Sequence, residues 1–295
     1  MQHLSADRLI SPRNLAEAIG MSESSLKRWA DQGLLKVTKT VGGHRRISVR
    51  DAIHFVRDRG IRFLKPTVIG LPADDLTFNV DDIGLNDALL SHLSKGEADS
   101  VWNLLIGRFL DGSTIAQLGD GAIKSALREL GSQWEHDSNG IFVEHRATDI
   151  CIQVIQQMKM IATHSSPKYR ATGGAVSSDP YILPSMLVSS VITESGGQAT
   201  NLGPNTPIDV LKIDSIKRPK HEQPQLVWIS ASVLESPEET SREINAFAHE
   251  CHDAGIKLIV GGRQVTDLSL DHVPSLSVHA SLESVAKVAS KIAAA

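Results

Sequence analysis

The sequence predicts a multidomain chain: a winged helix-turn-helix head, a central four-helix bundle, and a doubly wound α/β domain built on a parallel sheet. The first 66 residues contain two short, capped helical segments and a basic glycine hairpin. Helical patterning then continues from about residue 85 to residue 165. From residue 173 onwards, short apolar strands alternate with helical segments, which is typical of a doubly wound sheet.

Composition indicates a soluble globular protein. The 295 residues leave room for two or three domains, and 41% hydrophobic and 22% charged residues are ordinary proportions. Cys151 and Cys251 are far apart and form no CxxC pair, which favours a reducing compartment. The amino terminus lacks the apolar core of a signal peptide, and no run is long enough to span a membrane. We therefore expect a cytoplasmic protein with no membrane contact.

Charge is distributed unevenly along the chain. Residues 1–66 contain 13 Lys and Arg against 6 Asp and Glu, a net charge of +7. Because the whole chain has a net charge of −4, the remainder has −11. A basic segment on an acidic body favours a module that faces nucleic acid, although a solvated basic surface would give the same numbers.

Two helices with clear boundaries are predicted in this segment. Ser11-Pro12 is an N-cap followed by proline at the first helical position, and Gly20 ends that helix. Ser22 then caps a second helix, which ends at Gly33. Two helices of this length joined by a tight turn indicate a helix-turn-helix, whose second helix enters the major groove of DNA.

A basic hairpin follows the second helix. Lys36–Thr40 is predicted to be a strand, and Gly42-Gly43 form the turn before a basic return strand. Such a hairpin is suited to contacts with phosphates. Trp29 is predicted to pack in the core, since it lies on the apolar side of its helix. Eight residues are predicted to face DNA: Ser24, Ser25, Lys27, Arg28, Lys39, His44, Arg45 and Arg46.

The segment LAEAIGMSESSLKRWADQGLL followed by VGGHRRI closely resembles the winged-helix DNA-binding domain of MerR-type regulators, over about residues 9–65. The resemblance implies double-stranded DNA as the partner, with a palindromic promoter operator bound by a homodimer or homotetramer. The alternative is a small helical domain that binds another protein.

A linker and a helical bundle are predicted next. Residues 67–84 mix acidic pairs with Gly and Pro and show no helical period, which predicts an interdomain linker. Four helices are then expected at about 85–94, 97–110, 114–134 and 139–163 of a bundle domain that spans 85–165. Trp134, Glu144 and His145 could lie at one end of the bundle and cap a flat apolar ligand. The alternative is a buried tryptophan beside an exposed ion pair.

The last domain, residues 173–295, is predicted to have strands at about 173–178, 198–202, 225–230, 257–261 and 275–278. Ligands bind open α/β sheets at the carboxyl ends of the strands, so the loops there should form a ligand site. Its candidate residues are Asp179, Tyr181, Ser230, Ser232, Gly261 and Gly262. A nucleotide phosphate site is not expected, because the chain contains neither GxGxxG after the first strand nor GxxxxGK[ST].

These loops resemble the flavodoxin-like cobalamin-binding domain of corrinoid proteins, and Trp134 with Glu144-His145 resembles the helical cap of the same family. With the MerR-type head, the chain resembles the CarH/LitR class of cobalamin-dependent, light-responsive repressors. The resemblance implies cobalamin as cofactor, contacted by the cap and loop residues named above. Tyr181 stands where the family has its cobalt-ligating histidine, and a phenol with a pKa near ~10 is a poor metal donor. Pro184 replaces the family's glycine, and Glu135 replaces the histidine that follows the capping tryptophan in light-responsive members.

The sequence thus predicts a DNA-binding transcriptional repressor whose bundle and α/β domain sense cobalamin or a related ligand, or light through it. One alternative is a cobalamin-independent MerR-type regulator whose sensor domain acts through protein partners. Another is the corrinoid subunit of a methyltransferase. No nucleophile–base pair or metal-ligand cluster stands out in the sequence, so we do not expect an enzyme.

Overall fold

The structure is a computed structural model that describes residues 5–72, 82–133 and 138–295. Its residue contacts divide the chain into two compact units. The first unit comprises Met1–Thr114 and Gly121–Ala162, and the second comprises Ile115–Asp120 and Thr163–Ala295. Within the described residues, no helix combines the length and the apolar character that crossing a bilayer requires.

The amino-terminal part of the first unit contains the predicted helix pair and hairpin. Ser11 and Ser22 each cap a helix by accepting a backbone N–H bond three residues on, and Gly20 ends the first helix in the left-handed conformation (φ 66°). A third helix follows the hairpin directly. The elements are β1 (Leu9–Ile10), α1 (Pro12–Ile19), α2 (Glu23–Asp31), β2 (Thr38–Lys39), β3 (Arg45–Ser48) and α3 (Val49–Asp58).

A small antiparallel sheet supports the helix pair. β3 lies between β1 and β2, pairing Ile10 with Ile47 and Lys39 with Arg45. Trp29 is half-buried, and its ring centroid lies 5.1 Å from that of Phe55 on α3. The core of this part is aliphatic, as its fully buried side chains show: Leu15, Leu26, Leu35, Ile47 and Ile53.

The head extends beyond the predicted boundary at residue 66. Pro66–Ile69 form a 3₁₀ turn, and Ile69 and Leu71 are buried. Backbone bonds from Leu64 and Lys65 to the carbonyl of Ala18 hold this segment against α1. The predicted linker 67–84 is therefore too long at its start, because two apolar side chains there complete the core of the head. Residues 73–81 of that linker lie outside the described residues, and residues 82–84 are helical.

The third helix of the head packs on the bundle within the first unit. The guanidinium of Arg57 lies 3.7 Å from the centroid of the Phe109 ring, and its Nη1 donates to the carbonyl of Ser113 at 3.1 Å. Nε2 of His54 donates to the carbonyl of Ile161 at 2.9 Å. Because α3 follows the hairpin directly, these contacts connect the head to the bundle helices.

The bundle helices lie close to their predicted positions, but the third one begins differently. Residues 115–120 of the predicted helix 114–134 belong to the second unit, and a π-helical segment, Gly119–Ile123, interrupts the helix. The backbone N–H of Ile115 donates to the carboxylate of Glu194 at 2.8 Å, which holds this start in the second unit. The helices are α4 (Asp82–Lys95), α5 (Ala98–Leu110), α6 (Ile115–Leu118), α7 (Lys124–Gln133) and α8 (Ser138–Ala162).

The second unit is built on a parallel sheet of five strands in the described region, in the order β5-β4-β6-β7-β8. This confirms the predicted doubly wound sheet. The first strand runs from 169 to 175 and not from 173 to 178. The elements are β4 (Tyr169–Ala175), α9 (Ile182–Glu194), β5 (Gly197–Asn201), α10 (Ile208–Ile213), β6 (Leu226–Ser230), α11 (Pro237–Ala254), β7 (Lys257–Gly261), β8 (Leu276–His279) and α12 (Leu282–Ala294).

The strand order reverses at β4, which lies between β5 and β6. At such a reversal the loops that follow the two strands leave on opposite sides and open a crevice at the carboxyl edge. The two sheet faces pack differently. Val227 and Ile229 join the core around α11, whereas Trp228 points to the opposite face.

Candidate functional site

Asp179 connects three loops at the carboxyl edge of the sheet. Its side chain is fully buried. Oδ1 accepts the backbone N–H of Tyr181 at 3.0 Å, and Oδ2 accepts that of Ser232 at 2.7 Å. Its own carbonyl accepts the backbone N–H of Asn205 at 2.9 Å. One carboxylate residue thus fixes the loops that follow β4, β5 and β6.

Backbone strain is concentrated beside this carboxylate. Ser178 (φ 65°) and Asn205 (φ 48°) are the non-glycine residues with positive φ in the described part of the chain. The backbone N–H of Ser178 donates to Oδ1 of Asn205 at 2.9 Å, and its hydroxyl donates to Glu235 at 2.7 Å. Such conformations persist only where surrounding contacts impose them, and they cluster at functional sites.

The structure brings several of the predicted loop residues together. Ser230 and Ser232 are buried, and Ser230 pairs with Gly261 in the sheet. A side chain at Gly261 would meet the carbonyl of His279 at 2.6 Å. Gly262 has φ 120°, and a side chain there would collide with the backbone of Ala231. Both glycines are therefore required by close backbone approach.

Tyr181 lies at the entrance of α9 and faces solvent. It is 43% exposed, and the guanidinium of Arg263 lies 5.8 Å from its ring centroid. Tyr169, the other tyrosine, is buried, and burial raises the pKa of its phenol. The loop from β4 to α9, VSSDPY, contains no histidine. A phenol is a weak metal donor, and this loop offers no imidazole nitrogen that could bind cobalt.

The predicted cap residues are only partly described. Trp134 lies outside the described residues. Glu144 and His145 are neighbours on α8 in the first unit, with 3.6 Å between Oε2 and Nε2, and the side chain of His145 is 75% exposed. Glu144 is half-buried beside it.

A buried polar chain beneath the carboxyl edge was not predicted. The indole N–H of Trp228 donates to the hydroxyl of Ser185 at 3.0 Å, and that hydroxyl donates to Oδ1 of Asn201 at 2.8 Å. The same oxygen accepts the backbone N–H of Gly203 at 3.1 Å. The sequence signal is a serine among the apolar residues in the first turns of α9, but its partners come from two separate strands.

The head presents a second candidate site, a groove of about 550 Å³ between α2 and the hairpin. Five of the predicted DNA-facing residues line it: Ser24, Lys27, His44, Arg45 and Arg46. Arg28 and Lys39 are also exposed. Ser25 is half-buried, and its hydroxyl lies 2.9 Å from that of Ser22 at the helix cap. Arg45 pairs with Asp31 at the end of α2.

No family model and no curated protein matches this chain. Solved structures do match. The monomethylamine corrinoid protein of Methanosarcina barkeri shares 15% identity with a TM-score of 0.57, over 72% of this chain and 100% of that one. This likeness shows a shared fold.

Two further structures match less closely in space, each at 15% identity. The methanol:cobalamin methyltransferase complex MtaBC of Methanosarcina barkeri has a TM-score of 0.36, over 93% of both chains. A cobalamin-binding protein of Desulfitobacterium hafniense has a TM-score of 0.37, over 72% of this chain and 98% of that one.

Proposed function

We propose that this chain is a DNA-binding transcriptional repressor of the MerR type, with a ligand-sensing α/β unit of the corrinoid-protein fold. The observation that supports it is the groove in the head, where a capped helix pair and a basic hairpin stand side by side on a segment of net charge +7. This is the arrangement in which a recognition helix enters the major groove and a wing follows the phosphates.

Exposed basic side chains lie on both elements that form the groove, and Lys27 and His44 line the groove itself. Lys27 and Arg28 are exposed on α2, and Lys39 and His44 are exposed on the hairpin. Ser24 lies beside them and can donate or accept at a base edge. One head of this size buries little surface, so a homodimer or homotetramer on a palindromic operator supplies the affinity.

Charge reversal on α2 is expected to abolish specific DNA binding. The double variant Lys27→Glu/Arg28→Glu should bind the upstream region of the protein's own operon at least ~100-fold more weakly than the unaltered chain, because it loses about two phosphate contacts and adds repulsion. Fluorescence anisotropy at several salt concentrations measures this. The salt dependence of the unaltered chain should be steep.

The matched control is Lys287→Glu/Lys291→Glu, which makes the same charge change at exposed positions of α12 in the second unit. It should bind DNA like the unaltered chain. Equal losses of DNA affinity in the two double variants would mean that affinity depends only on net charge. Unchanged affinity in Lys27→Glu/Arg28→Glu would contradict the proposal that α2 contacts DNA.

For the sensing unit we propose cobalamin as the ligand. The support is the fold shared with a corrinoid protein and the crevice at the strand reversal, with its loops fixed by Asp179. Since residue 181 is a tyrosine, the corrin is held by the loops through its ring and amide side chains, without an imidazole on cobalt. Binding can shift the oligomeric state only through different affinities for the two states.

Cobalamin binding is expected without the spectrum of a histidine-ligated cobalt. Mixed in the dark with adenosylcobalamin or methylcobalamin and passed through gel filtration, the unaltered chain should co-elute with visible absorbance that shows no imidazole ligand. The Tyr181→His variant should show the imidazole-ligated spectrum, because a neutral imidazole donates at pH 7 where a phenol is protonated. Absence of co-eluting absorbance from both proteins would exclude cobalamin and favour the cobalamin-independent regulator.

The same fold also fits the corrinoid subunit of a methyltransferase. A methyltransferase subunit does not require a basic groove in the head. It does require an axial ligand to cobalt, which the loop after β4 does not provide. The DNA titration separates the two functions, since a methyltransferase subunit would form no salt-sensitive complex with its own upstream region.

A further inference from the structure

Arg45 of the hairpin crosses the groove and binds the last turn of α2. Its Nη2 lies 2.5 Å from Oδ1 of Asp31, and its Nη1 donates to the carbonyl of Lys27 at 3.3 Å. The guanidinium therefore contacts α2 through both a carboxylate and a main-chain oxygen. The side chain of Arg45 is only 27% exposed.

We propose that Arg45 is a positioning residue, which together with Asp31 fixes the hairpin relative to α2, and is not a phosphate ligand. This inference rests on the proposed DNA-binding function and assigns roles within it. Phosphate contacts then fall to the basic side chains that stay exposed, Lys39 and His44 on the hairpin and Lys27 and Arg28 on α2.

The position of Asp31 supports this role. It is the last residue of α2, where the helix dipole disfavours a negative charge by about 0.3–1 kcal/mol. It also adds a carboxylate near the basic side chains of the groove, which already has Glu23 in its lining. The first effect weakens the end of the helix and the second repels phosphate, and pairing with Arg45 offsets both.

The rest of the hairpin explains why such a contact is needed. β2 and β3 pair through two residues each, and a two-stranded ribbon of that length is marginal alone. The turn from Val41 to His44 is exposed throughout. β1 holds the far end of β3, so the Arg45–Asp31 contact is what ties the hairpin to α2 near the turn. It therefore sets the width of the groove that a DNA strand must enter.

A charge exchange between the two residues tests the proposal. Arg45→Asp alone should lose most DNA affinity, and the double variant Asp31→Arg/Arg45→Asp should recover to within about threefold of the unaltered chain, because the pair is restored with its charges exchanged. If Arg45 contacted a phosphate, the double variant would stay as weak as the single one, since an aspartate would still face that phosphate.

Salt dependence supplies the second readout. Arg45→Gln should weaken binding about 10-fold without changing the slope of log K against log salt. By contrast, each lost phosphate contact makes that negative slope shallower by about 0.9. Lys39→Gln is the matched control. Lys39 is paired with Arg45 across the hairpin, so this variant removes one positive charge from the same place. It should lower the slope by about 0.9.

Three results would overturn the inference: a double variant that stays weak, a reduced slope for Arg45→Gln, or unchanged affinity for Arg45→Gln. Failure of the unaltered chain to bind any DNA would instead refute the proposed function. Circular dichroism of each variant confirms that the helix pair is folded before its affinity is compared.

Discussion

Trp228→Ala is expected to lower the protection of β4 and β6 against amide hydrogen exchange by about 10²–10³-fold. Trp228 is 1% exposed, and its indole lies directly on the backbone of Gly173, where any side chain would collide with the ring. Truncating a buried tryptophan costs about 3–5 kcal/mol, from lost apolar burial and from the cavity left behind. Exchange mass spectrometry on peptides from residues 169–175 and 226–230 measures this loss within the second unit.

Two milder variants separate packing from hydrogen bonding at this position. Trp228→Phe keeps an aromatic ring against Gly173 but removes the N–H that Ser185 accepts, so it should cost much less than alanine. Ser185→Ala leaves the ring in place with its N–H buried and unpaired, at a cost of about 1–3 kcal/mol. If hydrogen-exchange protection in Trp228→Ala stayed within threefold of that in the unaltered chain, the stability of β4 and β6 would not depend on the indole.

Asp179→Ala is expected to free the loops that follow β4 and β6 at the carboxyl edge and to abolish the ligand binding proposed there. The variant leaves the buried backbone N–H of Ser232 without its acceptor, at a cost of about 1–3 kcal/mol, and also removes the acceptor of the part-buried N–H of Tyr181. Ser178 and Asn205 keep their bonds to each other and to the main-chain carbonyl of residue 179, so the loop that follows β5 should change less. Exchange at residues 176–183 and 231–236 should rise by at least ~10-fold, since a tenfold change corresponds to about 1.4 kcal/mol.

Asp179→Asn is the matched control for that variant. An amide oxygen can accept one of the two N–H groups, but its NH₂ faces the other, so the expected loss is intermediate. If Asp179→Ala exchanged no faster than the unaltered chain in both loops, the carboxylate would not be what holds them together. Peptides from α12, which carries no contact to Asp179 among its described bonds, provide the internal reference.

The prediction from sequence succeeded where a signal is confined to neighbouring residues. Ser11, Gly20 and Ser22 act through bonds within four residues, and the helices they bound lie at the predicted positions. The parallel sheet was likewise predicted from alternating strand and helix patterns. The linker does not begin at residue 67, because Ile69 and Leu71 are buried, and the start of the helix predicted at 114–134 belongs to the second unit, where Glu194 accepts the backbone N–H of Ile115.

In the candidate sites too, residues that follow strands were predicted from the sequence, whereas contacts between distant residues were not. Asp179, Tyr181 and the glycine pair at 261–262 were predicted from their place after strands, and the structure places them at the carboxyl edge. Trp228 and Ser185 were not predicted as partners, since no local sequence pattern indicates that a serine on a helix and a tryptophan in a strand are in contact. The pairing of Gly173 with Trp228 depends on a strand register that no local pattern encodes.

The sequence by itself determined the capped helix pair, the basic hairpin, and the alternation of strands and helices. Each of these is a property of residue type or of short spacing. Only the tertiary structure decided that Asp179 fixes three loops and that Arg45 binds Asp31 across the groove. The physical reason is that a carboxylate or guanidinium acquires its role from partners, and here Asp31 lies 14 residues from Arg45 and Ser232 lies 53 residues from Asp179.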